Sequence, residues 1–376
     1  MKYNSASPFF SKKKIKKIIP QLKELLEGGG LLTKGPKVEE FERLFSDYIG
    51  SKYGVAVNSG TSALEIVLKS IGIKNNDEVI IPTQTFVSTA SCVLNNGGKP
   101  IFCEIDNNHL IDFEDLKRKI TTNTKAVIIV HFCGLIHPEI NKIKYFLDQK
   151  NILLIEDAAH AHGAKINNKK AGNIGHFGCF SFFSTKIMTT GGEGGFITTN
   201  SLDSYNRCKS ISAIGIDRHS KNELYSMAGS NNRMTEFQSI IGISQLNEVE
   251  NFIDHRINLS INYKNNLNAL ESKGIIRFQD FPNNIRHPYW KFIIIFNHEV
   301  NRVNIKNKLK RSGIAVDWPY SPLLHLQPLF KNLYNINDGF LKKSEELCSR
   351  HLCLPIHINI SPKDVKFISK KLIKCL

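Results

Sequence analysis

The sequence predicts an α/β fold in which a mainly parallel, seven-stranded sheet is flanked by helices. From about residue 50 to 200, short apolar runs alternate with amphipathic segments of helical period. Runs that are apolar throughout are typical of strands buried on both faces, and a βαβα order favours parallel strands joined by helices. The seven predicted strands are residues 55–57, 79–82, 101–103, 126–130, 152–155, 179–183 and 196–198.

A second, smaller unit is predicted after the sheet. Apolar residues at a helical period over 237–253 predict one long helix. Beyond this helix we expect strands at 290–296 and 315–318 and helices at 304–311 and 362–372. We therefore predict a large domain over residues 1–250 and a smaller α+β domain over residues 251–376.

The composition is that of an ordinary globular protein. Of the 376 residues, 41% are hydrophobic and 22% are charged. Apolar runs such as 126–130 fall far short of the ~20 residues that a membrane-spanning helix needs. The lysines of residues 12–17 could be taken for the start of a signal peptide, but a proline and another lysine follow where an apolar region should be. We expect a cytoplasmic protein with no membrane partner.

Cysteine spacing and the distribution of charge narrow the class of partner. The eight cysteines form neither a CxxC pair nor a metal-finger pattern, which favours reduced, mostly buried thiols. The formal net charge of +16 allows a nucleic acid, an anionic small substrate or a mere bias of composition. Outside residues 12–17 the lysines form no basic stripe interleaved with aromatic residues. We therefore favour a solvated basic surface that suits an anionic substrate, and expect no nucleic acid.

The segment from Asn58 to Ala63 is the first candidate site. Its sequence, Asn-Ser-Gly-Thr-Ser-Ala, joins a predicted strand to a helix that begins near Thr61. A glycine turn and hydroxyl groups at a helix N-terminus present free N–H groups and a positive dipole end to a phosphate. Taken alone, the same residues are more typical of a plain helix cap. Gly60, Thr61 and Ser62 therefore indicate a phosphate site only together with other groups.

The second candidate is the segment of residues 155–163, which begins at the C-terminal end of a predicted buried strand. Open α/β sheets bind their ligands at such strand ends. Asp157, His160 and His162 could be metal ligands, or Asp157 could pair with a protonated ring nitrogen while His160 lies near the ring. A structural role for His162 is favoured over both functions, and we expect no metal.

The third candidate is Lys186, which follows a predicted strand and precedes a Gly-Gly-Glu-Gly-Gly turn at residues 191–195. Alone it would be interpreted as a solvated loop lysine. With the other two segments it completes a set that consists of an amine nucleophile, a carboxylate for a protonated pyridine nitrogen and a phosphate anchor. Lys186, Asp157 and the turn at residues 60–62 thus indicate pyridoxal phosphate, held as a Schiff base on Lys186.

A set of ordered motifs runs over nearly the whole chain. They are Thr-Lys-Gly-Pro at 33–36, Ser-Gly-Thr-Ser-Ala at 59–63, Asp-Glu-Val-Ile at 77–80, Thr-Phe-Val at 85–87, Glu-Asp-Ala-Ala at 156–159, Phe-Ser-Phe at 180–182, Thr-Lys at 185–186, Gly-Glu-Gly-Gly at 192–195 and Asn-Asn-Arg-Met at 231–234. In these motifs the chain resembles the sugar aminotransferases of the DegT/DnrJ/EryC1/StrS family. The resemblance implies a fold type I enzyme with a mixed, mainly parallel sheet and pyridoxal 5'-phosphate as its cofactor.

The resemblance also implies roles for the residues around the cofactor ring. Lys186 would hold the cofactor and shuttle a proton, and Asp157 would pair with the pyridine nitrogen. Phe86 would cover one face of the ring. His160 stands where most family members have Gln; either side chain can bond near the phenolic oxygen, but His160 can also titrate.

A further set of implied roles concerns the cofactor phosphate and the assembly. Thr61, Ser62 and Ser181 would hold the phosphate of their own subunit. Asn231 would reach the phosphate of the neighbouring subunit. The resemblance therefore implies at least a homodimer with shared active sites.

The substrates are implied by the family alone. Its usual acceptor is a nucleotide-linked keto sugar and its usual amino donor is L-glutamate, which would give a nucleotide-linked amino sugar for surface polysaccharide, O-antigen or another glycoconjugate. Residues 317–328 are similar in character to the family's aromatic-proline-histidine loop, with His325 as a candidate substrate-side residue. A loop histidine packed against Pro328 is the other interpretation. The loop matches neither the 3-amino nor the 4-amino pattern, so the reacting carbon stays open.

The resemblance leaves two alternatives to an aminotransferase. The dehydratase branch carries histidine at the position of Lys186, so this lysine indicates amination. A family member could also bind the cofactor without turnover and act as a regulator or scaffold. Every catalytic position is present in this chain, which favours the enzyme.

Overall fold

The computed structural model describes residues 2–216, 224–297 and 300–376. Its helices are α1 (Lys12–Glu27), α2 (Pro36–Ile49), α3 (Gly60–Ser70), α4 (Val87–Asn95), α5 (Phe113–Lys119), α6 (Ile140–Asp148), α7 (Leu202–Ser212), α8 (Glu236–Leu246), α9 (Val249–Ser272), α10 (Arg302–Arg311), α11 (Pro328–Tyr334), α12 (Lys342–Ser349) and α13 (Pro362–Ile373). Its strands are β1 (Tyr53–Val57), β2 (Glu78–Pro82), β3 (Lys99–Cys103), β4 (Thr124–Val130), β5 (Leu153–Asp157), β6 (Lys165–Ile166), β7 (Lys169–Lys170), β8 (Phe177–Ser181), β9 (Gly195–Thr199), β10 (Ile276–Arg277), β11 (Ile285–Arg286), β12 (Phe292–Phe296) and β13 (His351–Leu354).

Seven strands form one large sheet in the order β3-β2-β4-β5-β8-β9-β1. The four pairs from β3 to β8 are parallel. Strand β9 is antiparallel to both of its neighbours, β8 and β1. These are the seven strands that the apolar runs predict, so the α/β class and the mixed, mainly parallel sheet are confirmed.

Both faces of the large sheet are buried, because successive residues of each strand enter different cores. In β4, Val127 and Ile129 belong to one hydrophobic cluster, whereas Ile128 belongs to the other. Helix α2 covers the first face with Phe41 and Phe45, and α3 covers the second with its apolar side chains. The runs that are apolar throughout follow from this double burial.

The second unit has an antiparallel sheet in the order β10-β12-β13. Helices α9, α10 and α13 pack around it, and its core contains Tyr263 stacked on Phe292 with ring centroids 4.8 Å apart. Tyr3 belongs to the same core and bridges Ile314. The N-terminal residues therefore pack with the C-terminal unit, although the predicted boundary near residue 250 places them in the large domain.

Two predictions about this unit are wrong. The long helix over 237–253 is two helices, because ψ changes to −10° at Asn247 and −4° at Glu248, away from the regular α-helical value. Helix α8 packs against α2. The later residues of α9 pack against α13, whereas Val249, Phe252 and Ile253 at its start join the same core as α8. Residues 315–318 form no strand, because their pairing is reduced to single bridges such as Asp317 with Cys353.

The N-terminal lysines of residues 12–17 lie in α1, in which Ile18 is buried while Ile15, Ile19 and Leu26 are exposed. Lys14 pairs with Glu248 at 3.0 Å. Among the described helices, none combines the length and the hydropathy that crossing a membrane requires.

Phe45 is the centre of the aromatic layer beneath β8 and β9. Its ring lies 5.1 Å from those of Phe180 and Phe182 and 4.8 Å from that of Phe196, and it is fully buried. We expect Phe45→Ala to lower the free energy of unfolding by about 3–5 kcal/mol, because a ring-sized cavity opens in a close-packed core. Urea unfolding measures the loss.

Tyr145→Ala is the matched control, since Tyr145 lies on α6 with 68% of its surface exposed. The control should stay within about 0.5 kcal/mol of the parent. Equal losses for the two variants would contradict the packing described for Phe45.

Candidate active site

A cavity of about 500 Å³ opens at the carboxyl ends of the parallel strands. Asp157 ends β5, Ser181 ends β8, and Thr85 follows β2. Gly60 and Thr61, at the start of α3, line the same cavity. The topology therefore brings the three predicted segments together at the edge of the sheet where open α/β sheets bind ligands.

Asp157 is the buried acid of the cavity. Its carboxylate accepts a hydrogen bond from the Ala159 amide at 3.2 Å and another from the Thr89 hydroxyl at 3.1 Å. Burial nevertheless raises the pKa of Asp157 above its ordinary value, while the Ala159 bond, the charge of Lys186 and the Thr89 bond act in the opposite direction. A cation placed against this carboxylate would therefore stabilise its charged form.

Lys186 lies in the loop between β8 and β9, with its Nζ 4.6 Å from the centre of the Trp290 ring. Burial lowers the pKa of Lys186 from 10.5 to about 8; Asp157 opposes this shift and Lys291 adds to it. A fraction of the side chain is thus the neutral amine near neutral pH. Neutral amines are nucleophiles, so Lys186 differs in chemistry from a surface lysine.

The start of α3 provides the predicted anion site. Ser59 caps the helix by accepting from the Ser62 amide at 3.1 Å. The amides of Gly60 and Thr61, which precede Ser62, have no intrahelical acceptor. A Cβ on Gly60 would lie 2.7 Å from the Cβ of Ser181, so only glycine allows the helix to approach β8 this closely.

The structure divides the predicted phosphate residues into two groups. Thr61 and Ser181 line the cavity, and Ser59 does so as well. Ser62 is not among the lining residues, because its hydroxyl donates to Asn58 Oδ1 at 2.6 Å within the turn. The Ser62 side chain therefore stabilises the turn and does not face the cavity.

His160 is held in an aromatic stack. The centre of its ring lies 3.8 Å from that of Trp290 and 5.8 Å from that of Tyr320. The angles between the ring planes are 5° and 13°. Nε2 bonds the Tyr320 hydroxyl at 2.8 Å, whereas Nδ1 has no partner among the described residues. Burial, followed by the positive charge of Lys186, lowers the pKa of His160 well below its ordinary value. The sequence allows His160 to titrate near neutral pH, but in this environment its protonation is moved to lower pH.

Aromatic side chains form the mouth of the cavity. Phe86, at the start of α4, has 54% of its surface exposed and lies 6.1 Å from the Tyr320 ring. Phe86 thus lines the cavity, and its role in covering a ring stays a prediction. Trp290 and Tyr320 complete the wall. The sequence indicates the loop of residues 317–328 that contains Tyr320, but not this residue, and Trp290 lies more than 100 residues after Lys186 with no motif to mark it.

His162 lies outside the cavity lining, among the rings of Phe45, Phe180 and Phe182. Burial lowers its pKa to about 3. Over residues 2–216, 224–297 and 300–376, the structure contains no group of three His, Cys, Asp or Glu side chains placed to hold a metal. His162 thus fits the structural role favoured from the sequence.

The placement of His325 does not support a substrate-side role. The residue is fully buried and is not among the cavity-lining residues. Its Nδ1 bonds the Thr83 hydroxyl at 2.5 Å and its Nε2 bonds Glu345 at 3.1 Å, so neither nitrogen is available to a ligand. His325 instead fixes the loop of residues 317–328 to the end of β2.

Asn231 also lies off the cavity wall of its own chain. It is exposed and bridges Ala213 at the end of α7. The next residue accepts from the Asn58 amide at 2.9 Å, which keeps Asn231 near the turn that precedes α3. An exposed amide beside this turn is available to a second chain.

Comparison with known proteins agrees with the geometry. The sequence profile of the DegT/DnrJ/EryC1/StrS aminotransferase family matches residues 12–373. The GDP-perosamine synthase of Escherichia coli O157:H7 is 30% identical over 351 residues, which are 93% of each chain. The UDP-4-amino-4,6-dideoxy-N-acetyl-beta-L-altrosamine transaminase of Campylobacter jejuni is 29% identical over 352 residues, 92% of this chain and 91% of the relative.

A solved structure extends the agreement to the fold. The crystal structure of NtdA from Bacillus subtilis with bound cofactor PMP superposes with a TM-score of 0.89 at 27% identity, and covers 99% of this chain and 85% of that one. The fold is that of a pyridoxal-phosphate-dependent aminotransferase. The chain belongs to the DegT/DnrJ/EryC1/StrS family.

The side chains of the cavity fit this cofactor. Asp157 is a buried carboxylate suited to a protonated pyridine nitrogen, and Lys186 is an amine suited to the aldehyde. The free amides at the start of α3 suit a phosphate. The unpartnered Nδ1 of His160 is a polar atom that a ring oxygen would satisfy.

The pKa of Lys186 predicts a pH profile for the protein without cofactor. Deprotonation gives the nucleophilic amine. The extent of brief acetylation of Lys186 should therefore rise with pH around a midpoint of about 8, whereas that of surface lysines should rise at about pH 10.4. Peptide mass spectrometry measures the extent of modification at each pH.

Asp157→Asn tests the electrostatic part of this assignment. It removes a negative charge that favours the protonated lysine, so the midpoint should move to lower pH. If Lys186 of the parent protein were acetylated with the same midpoint as its surface lysines, the buried environment of Lys186 would be contradicted.

Proposed function

We propose that this protein transfers an amino group from L-glutamate to a nucleotide-linked 3- or 4-keto sugar, with its cofactor attached to Lys186. The product is a nucleotide-linked amino sugar for surface polysaccharide or another glycoconjugate, made in the cytoplasm. When bound, pyridoxal phosphate supplies an electron sink for the carbon that exchanges its proton. The remaining chemistry belongs to residues of the chain.

One observation carries the catalytic part of the proposal. Lys186, Asp157 and the start of α3 line the same cavity, although 126 residues separate Gly60 from Lys186 in the sequence. The cavity thus joins an amine, an acid and an anion site, which are the three groups that the cofactor needs. Because the pKa of Lys186 is about 8, this side chain both accepts and donates a proton near neutral pH.

The substrate class is supported by two observations. The relatives from Escherichia coli and Campylobacter jejuni are named for nucleotide-linked amino sugars, one with GDP and one with UDP. The formal net charge of this chain is +16, and a nucleoside diphosphate is an anion that such a surface attracts. The two carriers differ, so the proposal names the class of substrate and leaves the nucleotide to experiment.

The assembly is the second part of the proposal. Asn231 is exposed and lies off the cavity of its own chain. In a homodimer this amide contacts the phosphate in the partner's cavity, and each site is then built from two chains.

The cofactor attachment is tested with the purified protein. Protein reconstituted with pyridoxal phosphate should show a visible absorption band that L-glutamate bleaches. Borohydride reduction should place the cofactor mass on the peptide that contains Lys186 and not on the one that contains Lys291. Lys186→Arg, which keeps the charge but forms no such bond, should show neither band nor mass.

Keto sugars on GDP, UDP and dTDP carriers are then tested for glutamate-dependent amination. Turnover of one carrier supports the proposed donor and substrate class. A band that glutamate bleaches without turnover of any keto sugar would overturn the substrate class and leave the attachment intact. A colourless protein that gains no mass at Lys186 would overturn the attachment itself, whereas colour without a response to glutamate would favour a regulatory or scaffold role.

The shared site is tested by complementation. Lys186→Ala removes the amine, and Asn231→Asp places a carboxylate against a phosphate, so each homodimer should be inactive. A mixed dimer, isolated through two different tags, should regain about half of the wild-type activity, since one of its two sites is then intact. An inactive mixed dimer of two folded chains would show that Asn231 does not act across the interface.

A further inference from the structure

Tyr320 and His160 form a hydrogen bond whose direction has a chemical consequence. The Tyr320 hydroxyl lies 2.8 Å from His160 Nε2, and among the described residues it has no other hydrogen-bond partner. A hydroxyl group has one proton to donate, and a neutral imidazole has one nitrogen that accepts it. The direction of this bond therefore decides which nitrogen of His160 carries hydrogen.

The surroundings keep both groups in their neutral forms. His160 has 3% of its surface exposed, and burial together with the positive charges of Lys186 and Lys291 and the neighbouring His162 and His131 opposes a second proton. Burial also raises the pKa of the Tyr320 hydroxyl well above its ordinary value, and Asp157 adds to the shift. The pair is thus a phenol facing a neutral imidazole.

We propose that Tyr320 donates its hydroxyl proton to His160 Nε2 and so fixes His160 as the tautomer with hydrogen on Nδ1. Nε2 is then the acceptor, and the buried Nδ1 becomes an N–H donor. Tyr320 is a positioning residue in this assignment. The proposed role of His160 beside the cofactor enters only at the next step, where Nδ1–H is the donor offered to the ring oxygen.

The tautomer matters because the two forms differ in sign at Nδ1. An N–H group stabilises an electron-rich phenolic oxygen, whereas a lone pair at the same position repels it. Glutamine can present the N–H of its amide without any tautomer choice. A histidine at this position equals glutamine as a donor only when something holds the proton on Nδ1, and Tyr320 is placed to do so.

The loop that carries Tyr320 is itself fixed by a buried amide. Gln84 Nε2 donates to the carbonyl of Pro319 at 3.3 Å, and Gln84 Oε1 accepts from His109 Nδ1 at 2.7 Å. The Nδ1 of His351 donates to the Cys348 carbonyl at 2.8 Å. Its Nε2 therefore accepts, and it lies 3.4 Å from Gln84 Nε2. The directions of these bonds agree with one another, so the residue before Tyr320 is tied to the end of β2.

The Tyr320 backbone points to the same constraint. Its φ angle is 60°, a conformation that residues other than glycine rarely adopt. Strained positions of this kind persist where surrounding contacts hold them, and they concentrate at functional sites. In this conformation the planes of the Tyr320 and His160 rings lie 13° from parallel.

The tautomer is tested directly by nitrogen-15 NMR of the full-length protein labelled only at histidine, first without cofactor. His160→Gln identifies the His160 signals by their loss. The wild type should show hydrogen on Nδ1, and Tyr320→Phe, which removes one oxygen and keeps the ring, should shift His160 towards hydrogen on Nε2 or a mixture. Hydrogen on Nε2 in the wild type, or no change in Tyr320→Phe, would overturn the proposal.

A double-mutant cycle tests the consequence for binding, with pyridoxamine phosphate as the probe because it forms no covalent bond to Lys186. Tyr320→Phe should weaken its affinity about tenfold in the His160 background and by less than about twofold in the His160→Gln background. Equal losses in both backgrounds would mean that Tyr320 acts on the probe by itself. Tyr145→Phe removes a hydroxyl from a residue with 68% of its surface exposed and should change neither readout.

The two proposals fail in different ways. If no pyridoxamine phosphate binds to any variant, the cofactor assignment of this cavity is wrong, while the NMR result for His160 still stands. If the probe binds but the tautomer is unaffected by Tyr320→Phe, the cofactor assignment stands and the role of Tyr320 is wrong.

Discussion

The carboxylate of Asp157 is held out of water at the end of a central strand, and the site is organised around the cost of that burial. Two hydrogen bonds, from Thr89 and the Ala159 amide, do not offset it, and the pKa stays raised. Lys186 across the cavity has the opposite problem, because burial favours its neutral form. Each group therefore favours the charge of the other, and a protonated ring bound between them would complete the compensation for Asp157.

The sequence predicts the large sheet well because burial on both faces leaves a simple local signal. Each of the seven strands contains a short apolar run, and each lies near its predicted position. The segments that contain Asp157, Lys186 and Gly60 were identified for a similar reason, since each adjoins the end of a strand. Ligand sites at strand ends are thus readable from local sequence in this fold.

The parts that local sequence missed depend on distant contacts. The periodicity of 237–253 continues through the bend at Asn247, because Ile243 and Leu246 before the bend and Phe252 and Ile253 after it pack against the same core. His325 has the composition of a ligand-binding loop around it, yet Thr83 and Glu345 occupy both its nitrogens. Tyr320 and Trp290 reach the cavity only through the packing of the second unit, which residue spacing does not reveal.

The pairing of Tyr3 with Ile314 joins two segments that are synthesised far apart in time. Tyr3 stays without this partner until more than 300 further residues have been synthesised. The same delay applies to the wall of the cavity, since Tyr320 is held by an amide network that includes His351. In a nascent chain that has already formed the large sheet, the cavity therefore still lacks the wall that Tyr320 contributes. The active site is then among the last features to be completed.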